Sequence, residues 1–96
     1  MYVWTDSRQF TGKWEKNKMN GKGHMVWPDK RSYIGEYCND KKHGNGIFLW
    51  SDMRTYIGGW KMGKQHGIGL FINSDGESKQ GEWNEGKRLK WFEEEY

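Results

Sequence analysis

Residues 33–55 read YIGEYCNDKKHGNGIFLWSDMRT, and residues 56–78, which follow directly, read YIGGWKMGKQHGIGLFINSDGES. The two segments have the same length and agree at their leading aromatic residue and at most of their glycines. The same 23-residue spacing extends to Phe10 on one side and to Lys79 on the other. Self-similarity at such a fixed period is typical of repeat proteins. The sequence therefore divides into a half repeat 1–9, repeats 10–32, 33–55 and 56–78, a terminal half repeat 79–92 and an acidic tail 93–96.

Each repeat has the pattern of a β-hairpin. In YIGEYC, Tyr33, Gly35 and Tyr37 alternate with residues of a second face, as in a half-buried strand. The polar turn NDKKHGNG follows, then a second strand GIFLW and a second turn SDMRT, in which Asp52 is placed to bond its own backbone. Glycine recurs inside every element and no 3.6-residue period is present, which excludes helix. The prediction is an all-β fold, an elongated single-layer twisted antiparallel sheet of tandem hairpins.

Glycines and aromatic residues alternate on one face of the predicted strands. Glycine weakens a strand unless something approaches the backbone closely. We expect a ring of the neighbouring hairpin, Phe48 or Trp50, to lie flat over the bare backbone at Gly35. The opposite face carries an aliphatic stripe, and because one sheet cannot bury both faces, one face is expected to meet another molecule. The stripe comprises Val3, Val26, Ile34, Ile47, Leu49, Ile57, Leu70 and Ile72.

Composition limits the class of protein. Of 96 residues, 33% are hydrophobic and 17% aromatic, and the net charge is +3. There is too little aliphatic side chain for a two-layer core, and the aromatic content argues against disorder. The single Cys38 excludes an internal disulfide and a thiolate metal site. With no signal peptide and no long apolar run, we expect a reducing, cytoplasmic compartment.

The repeats resemble the membrane occupation and recognition nexus (MORN) repeat, commonly written YxGxWxxGxxHGxG…DG. The copy YIGGWKMGKQHGIGLFINSDG matches it at every signature position. The preceding copy departs at Asp40 and Met53, and the first at Phe10, Asn17, Asn20 and Lys30. The last half, KQGEWNEGKRLKWF, keeps Gly81, Trp83 and Gly86 and resembles a terminal half repeat that closes the sheet edge.

The resemblance implies a non-catalytic scaffold at a cytoskeletal or membrane-cytoskeleton structure, such as a cilium or cell cortex. It implies an aromatic groove that binds a partner peptide or helix; the alternative is a module that binds acidic phospholipids and targets a larger protein to the membrane. No cofactor, no metal and no nucleic acid are expected. The expected groove residues are Phe10, Trp14, Tyr33, Tyr37, Phe48, Trp50, Tyr56, Trp60, Phe71 and Trp83.

Cations also recur with the repeat period. A lysine ladder occupies the ninth repeat position, and a shorter arginine row lies at the opposite turns. The ladder and its neighbour Arg88 could face lipid headgroups or an acidic partner. Its members are Lys18, Lys41, Lys64 and Lys87; the arginine row is Arg8, Arg31 and Arg54.

Other residues point away from catalysis. His43 and His66 lie in separate turns about 10 Å apart, so they cannot share a metal and are interpreted as turn caps. Cys38 is replaced by Glu15, Lys61 and Asn84 in other copies, which argues against a nucleophile. A carbohydrate- or choline-binding aromatic repeat is a further alternative, disfavoured by the HGxG turns. The chain begins in mid-repeat, which either a cut from a longer array or an edge paired with another chain would explain; the second explanation allows a homo-oligomer through sheet edges.

Overall fold

The structure, a computed structural model, describes residues 1–92 and forms one open antiparallel sheet. Nine strands pair strictly in chain order, so the sheet is a continuous meander. It measures 49 × 25 × 18 Å. The predicted all-β, single-layer fold is confirmed for the described residues, and the acidic tail 93–96 lies outside them. The strands are β1 (Tyr2–Val3), β2 (Gln9–Glu15), β3 (Lys18–Val26), β4 (Ser32–Cys38), β5 (Lys41–Leu49), β6 (Thr55–Lys61), β7 (Lys64–Ile72), β8 (Ser78–Asn84) and β9 (Lys87–Trp91).

Two kinds of turn join the strands. At one long edge, two-residue loops have positive φ at both positions, as in Asn39 (50°) and Asp40 (69°). This is the type I′ geometry that matches the right-handed twist of a hairpin. At the opposite edge, three-residue loops end with a positive-φ residue, for example Met53 at 75°. Of the four residues at that position, Ser7, Lys30, Met53 and Gly76, only one is a glycine.

Within residues 1–92, the nine buried hydrophobic side chains lie on one face, which we call the aromatic face. Seven are rings and two are methionines: Phe10, Met19, Met25, Tyr33, Tyr37, Phe48, Tyr56, Trp60 and Trp83. The opposite, aliphatic face carries Ile34, Ile47 and Ile57 in one cross-strand row, each at least 40% exposed. The sheet therefore has a core on one side only.

A row of glycines crosses the sheet from β2 to β8 beneath the rings. Gly35 pairs with Gly46, and the row continues from strand to strand in the same register. A Cβ on Gly46 would overlap the ring and hydroxyl of Tyr33. The expectation that Phe48 or Trp50 covers these glycines is therefore wrong. The ring that opens each repeat lies along its own strand and covers the glycine pair of its own hairpin.

Candidate functional site: the aromatic face

The buried rings interlock edge to face across repeats. Tyr33 contacts Tyr37 of its own repeat at 5.2 Å between ring centroids and Trp60 of the next repeat at 5.5 Å, with interplanar angles of 84° and 87°. Tyr56 is held in the same way by Trp60 and Trp83. Perpendicular contacts place the positive edge of one ring against the negative face of another, and each is worth about 0.5–1.5 kcal/mol beyond burial. Each repeat is therefore stabilised by the next.

Polar tips of the buried rings are satisfied by the backbone. The Tyr33 hydroxyl donates to the Glu36 carbonyl at 2.9 Å, and the Tyr56 hydroxyl donates to the Gly59 carbonyl at 3.0 Å. Burial raises the pKa of Tyr56 to about 12 and raises the pKa of Tyr33 further. The Trp60 Nε1–H donates to the Gly46 carbonyl at 3.3 Å. These bonds fix the orientation of the rings.

Seven of the ten predicted groove residues are thus core residues with little exposed surface. Tyr33 and Tyr56 are 0% exposed. Only Trp14, at 43%, is well exposed, while Trp50 and Phe71 are half-buried. A partner on this face can touch little of the buried set, because the rings must close over the glycine row to form any core at all.

A second set of half-buried rings, which we call the outer row, covers the core and faces solvent. Within it, Trp50 lies 6.2 Å from Phe71, which lies 6.2 Å from Trp91. Between these rings opens a cleft of about 270 Å³ that Gln65 and Arg88 also line. The sequence analysis missed three of its members, although two share the repeat position of Trp50. The outer row is Trp4, Trp27, Trp50, Phe71 and Trp91.

Three tryptophans of the outer row are fixed by an arginine and an aspartate. The Arg54 guanidinium lies 5.2 Å from the centroid of the Trp50 ring, and its Nε donates to the Asp52 carboxylate at 2.8 Å. The Arg54 backbone N–H donates to the same carboxylate, which confirms the bond predicted for Asp52. Hydrogen bonds from the arginine hold the pKa of the Asp52 carboxyl below its usual value. The same triplet recurs as Trp4–Arg8–Asp6 and Trp27–Arg31–Asp29.

Lys42 is a cation on the aromatic face that the sequence analysis did not single out. Its Nζ lies 5.5 to 5.6 Å from the centroids of four rings, those of Trp27, Tyr33, Phe48 and Trp60. Burial among these rings lowers the pKa of the Lys42 ammonium group, and the nearby charge of Arg31 adds to the effect. The sequence analysis selected the adjacent Lys41 because of its repeat period. Sequence alone does not show which of two neighbouring lysines lies among the rings.

The lysine ladder lies along the two-residue turns and points to the other side of the sheet. Lys41 pairs with Cys38, whereas the next residue, Lys42, pairs with Tyr37 of the aromatic face. All four ladder lysines are exposed. Arg88 does not belong with them, because it lies on the aromatic face with its guanidinium 4.7 Å from the Trp91 ring centroid.

The histidines contact the turn of the following repeat. The His43 Nδ1 accepts from the Met62 N–H at 3.5 Å, and the His66 Nδ1 accepts from the Glu85 N–H at 3.4 Å. Nearby, the Gly63 N–H donates to the Lys42 carbonyl at 2.8 Å. These contacts agree with the interpretation as turn caps. The prediction that the histidines lie in turns was wrong, because His43 lies in β5 and His66 in β7, and each caps the turn of the next repeat. Within residues 1–92, no three His, Cys, Asp or Glu side chains come together as metal ligands.

An open sheet of similar hairpins, joined by interlocked rings and by hydrogen bonds from three of the two-residue turns to the preceding repeat, defines a tandem-repeat protein. The chain belongs to the MORN-repeat family: the family model for the MORN repeat matches residues 10–30, 33–52, 56–78 and 80–88. The search of curated proteins found no match. MORN repeats are in general modules for protein interaction or membrane binding, and the family is typically a non-enzymatic repeat scaffold. Among the described residues, there is no helix of the length and apolarity that a membrane crossing requires.

Proposed function

We propose that this chain is a protein-binding scaffold module whose outer row takes a partner peptide or helix. The observation that carries the proposal is the row of fixed, half-exposed tryptophans along the aromatic face. Their arginine and aspartate partners hold them in place before binding, which reduces the entropy that a partner contact must overcome. Tryptophan and arginine are also the residues most enriched among binding hot spots. A scaffold of this kind fits a cytoplasmic site at the cytoskeleton or the membrane-cytoskeleton boundary.

The experiment begins with a photo-crosslinking amino acid at position 50, on the outer row, and at position 62, in an exposed turn, as the control. A protein that is crosslinked only from position 50 is then purified, and its affinity for the chain is measured by calorimetry. We expect Trp27→Ala and Trp50→Ala each to weaken binding at least about fivefold, the effect of losing a hot-spot contact of about 1 kcal/mol. Met62→Ala is the matched control, because Met62 is an exposed apolar residue outside the face. Unchanged affinity in both tryptophan variants, with circular dichroism intact, would refute the proposal.

The exposed lysine ladder supports a second candidate function, binding to acidic phospholipids. Successive ladder members lie two strands apart, about 10 Å, and each can contribute about 1 kcal/mol near an anionic surface. Flotation with phosphatidylcholine vesicles, with and without phosphatidylserine and phosphoinositide, tests it. The triple variant Lys41/Lys64/Lys87→Glu should abolish binding, while the same charge change at Lys13, Lys30 and Lys79 should reduce it less. Equal effects of the two triple variants would contradict a role for the ladder.

A further inference from the structure

Within residues 1–92, the aliphatic face carries apolar side chains that no other part of the fold covers. Ile34, Ile47, Ile57 and Ile68 are 52%, 43%, 40% and 57% exposed, and Leu70 lies beside them half-buried. Two adjoining depressions of about 590 and 390 Å³ lie on this face and share Ile34 and Asn45. Contiguous apolar surface of this kind marks an interaction site in a soluble protein.

The side chains of this face form three rows across strands β3 to β8. The middle row is His24, Ile34, Ile47, Ile57, Leu70 and Gln80. The row on its Val26 side alternates large and small residues: Val26, Ser32, Leu49, Thr55, Ile72 and Ser78. The row on its Lys22 side holds Lys22, Glu36, Asn45, Gly59, Ile68 and Glu82.

These rows are complementary to themselves under a two-fold rotation. Consider an axis parallel to the strands that lies between β5 and β6, in the plane where two such faces meet. It brings β5 opposite β6 of the second copy, β4 opposite β7, and β3 opposite β8. In the middle row Ile47 then faces Ile57, and Ile34 faces Leu70. The two polar residues at the ends of this row, His24 and Gln80, face each other. A contact in which the same patch is used by both copies is the usual form of a homodimer interface.

The two flanking rows complete the match in size and charge. In the alternating row, Leu49 faces Thr55, while Ile72 and Val26 each face a serine. In the other row, the protruding Ile68 comes over the depression at Glu36, whose carboxylate is already bonded to the Asn45 N–H at 2.7 Å. At the end of that row Lys22 meets Glu82, whose carboxylate also lies 3.8 Å from the Lys90 Nζ of its own chain. Opposite charges across an interface fix its register.

The whole face is larger than a standard interface. The two longer dimensions of the molecule, 49 × 25 Å, set an upper bound of about 1,200 Å² on each face, compared with roughly 800 Å² buried per partner in a standard stable interface. Two twisted sheets pack with their strands about 30° apart, so their corners diverge. At the turn edge the same rotation brings Lys41 opposite Lys61 of the second copy, so like charges border the three rows there. These lysines must extend into the space between the diverging corners.

From this complementarity we infer that the aliphatic face is the interface of a homodimer, in which a second copy packs through the two-fold axis between β5 and β6. The aromatic face remains outward in both copies. The dimer therefore presents two outer rows on opposite sides, and its formation does not depend on the function proposed above.

Sedimentation equilibrium across the micromolar range tests the dimer directly. The wild-type chain should approach twice its mass of 11.5 kDa. Ile47→Lys should raise the dissociation constant at least roughly 100-fold, because each dimer would bury two unpaired ammonium groups. Met62→Lys is the control, since position 62 is an exposed turn where the first repeat carries Lys16. Ile57→Lys repeats the test at the facing position, and circular dichroism verifies the fold of each variant.

A charge exchange distinguishes the second copy from any other occupant. Lys22→Glu and Glu82→Lys should each weaken the dimer about tenfold, because like charges then meet twice per dimer. The double variant should regain wild-type affinity, since each new lysine again faces a new glutamate. Within one chain the two residues are five strands, about 24 Å, apart, so they cannot compensate each other there. Three results would each overturn the inference. The first is a monomer at every concentration, and the second is a dimer that persists in Ile47→Lys and Ile57→Lys through sheet-edge pairing. The third is a double variant that does not regain wild-type affinity.

Discussion

Replacing Met53 by glycine tests whether the three-residue turns store backbone strain. Met53 has a φ of 75°, in the left-handed region, at the position where Gly76 serves in the next repeat. Its side chain is 65% exposed, so its removal costs little packing. The Thr55 hydroxyl bonds the Met53 carbonyl, which glycine retains. The substitution therefore changes the backbone preference almost alone.

The expected gain follows from two opposing terms. A residue with a Cβ in the left-handed conformation costs roughly 1–2 kcal/mol, which glycine avoids. Glycine also makes the unfolded chain more flexible, which costs about 0.5–1 kcal/mol. The free energy of unfolding should rise by about 0.5–1 kcal/mol, or roughly 3–6 °C in Tm for a domain of this size.

Urea titration followed by tryptophan fluorescence measures the effect of Met53→Gly. The matched control is Gly76→Ala, which places a Cβ at the equivalent turn, where φ is 89°. It should destabilise the protein by about the amount that Met53→Gly stabilises it. Lys30→Gly, in a turn one repeat away with the same φ of 75°, should add to the gain of Met53→Gly. A loss of stability in Met53→Gly, or no change in Gly76→Ala, would refute the assignment of strain to this position.

Three further predictions concern the buried rings. Tyr33→Phe removes the hydroxyl that donates to the Glu36 carbonyl and should cost about 1 kcal/mol in urea titrations; an unchanged free energy would mean that this bond contributes nothing. Trp60→Ala should lower the free energy of unfolding by about 3–5 kcal/mol, because it removes the ring that contacts both Tyr33 and Tyr56. Trp27→Ala, in the outer row, should lower it clearly less. Equal losses in the two variants would contradict the division into core and outer row. The pKa of Tyr56 is about 12 in the folded chain, compared with an ordinary value of 10.0. Between these values the unfolded chain loses the proton while the folded chain keeps it, so stability should fall as the pH rises from about 10 to 12. Tyr56→Phe should make this fall less steep.

The repeat alignment was sufficient to predict the antiparallel order of the strands and the three-residue turns. The prediction of NDKKHGNG as a turn was wrong, because only Asn39 and Asp40 form the turn and β5 already begins at Lys41. The positive φ of Gly44 belongs to a bulge within that strand. The features that were predicted correctly depend on local signals, such as alternation along YIGEYC and the aspartate of each three-residue turn. These signals recur from repeat to repeat. The predicted turn bond of Asp52 depended on the same kind of signal. A residue whose contacts are with neighbours two or three positions away in sequence can be placed without knowledge of the rest of the sheet.

The depth of each ring could not be predicted in the same way. Alternation assigns a residue to a face, but in a one-sided sheet the rings of that face divide into a buried layer and an outer layer. Two extra residues on β5, around Gly44 with its φ of 84°, change the register between Gly35 and Tyr37. That bulge brings Lys42 opposite Tyr37 and so onto the aromatic face. It depends on pairing across the hairpin, which sequence spacing alone does not reveal.

The uniformity of the repeats raises the question of how a partner could find one position along them. The glycine row and the interlocked rings recur every 23 residues, so they offer the same contact at each step. On the aromatic face, the tenth position of the repeat differs in chemistry: Met19 is buried, Lys42 lies among four rings, Gln65 lines the cleft, and Arg88 stacks on Trp91. Specificity is a difference in affinity between alternatives, here between registers one repeat apart. The repeated residues can therefore supply affinity, whereas register must come from the residues in which the copies differ.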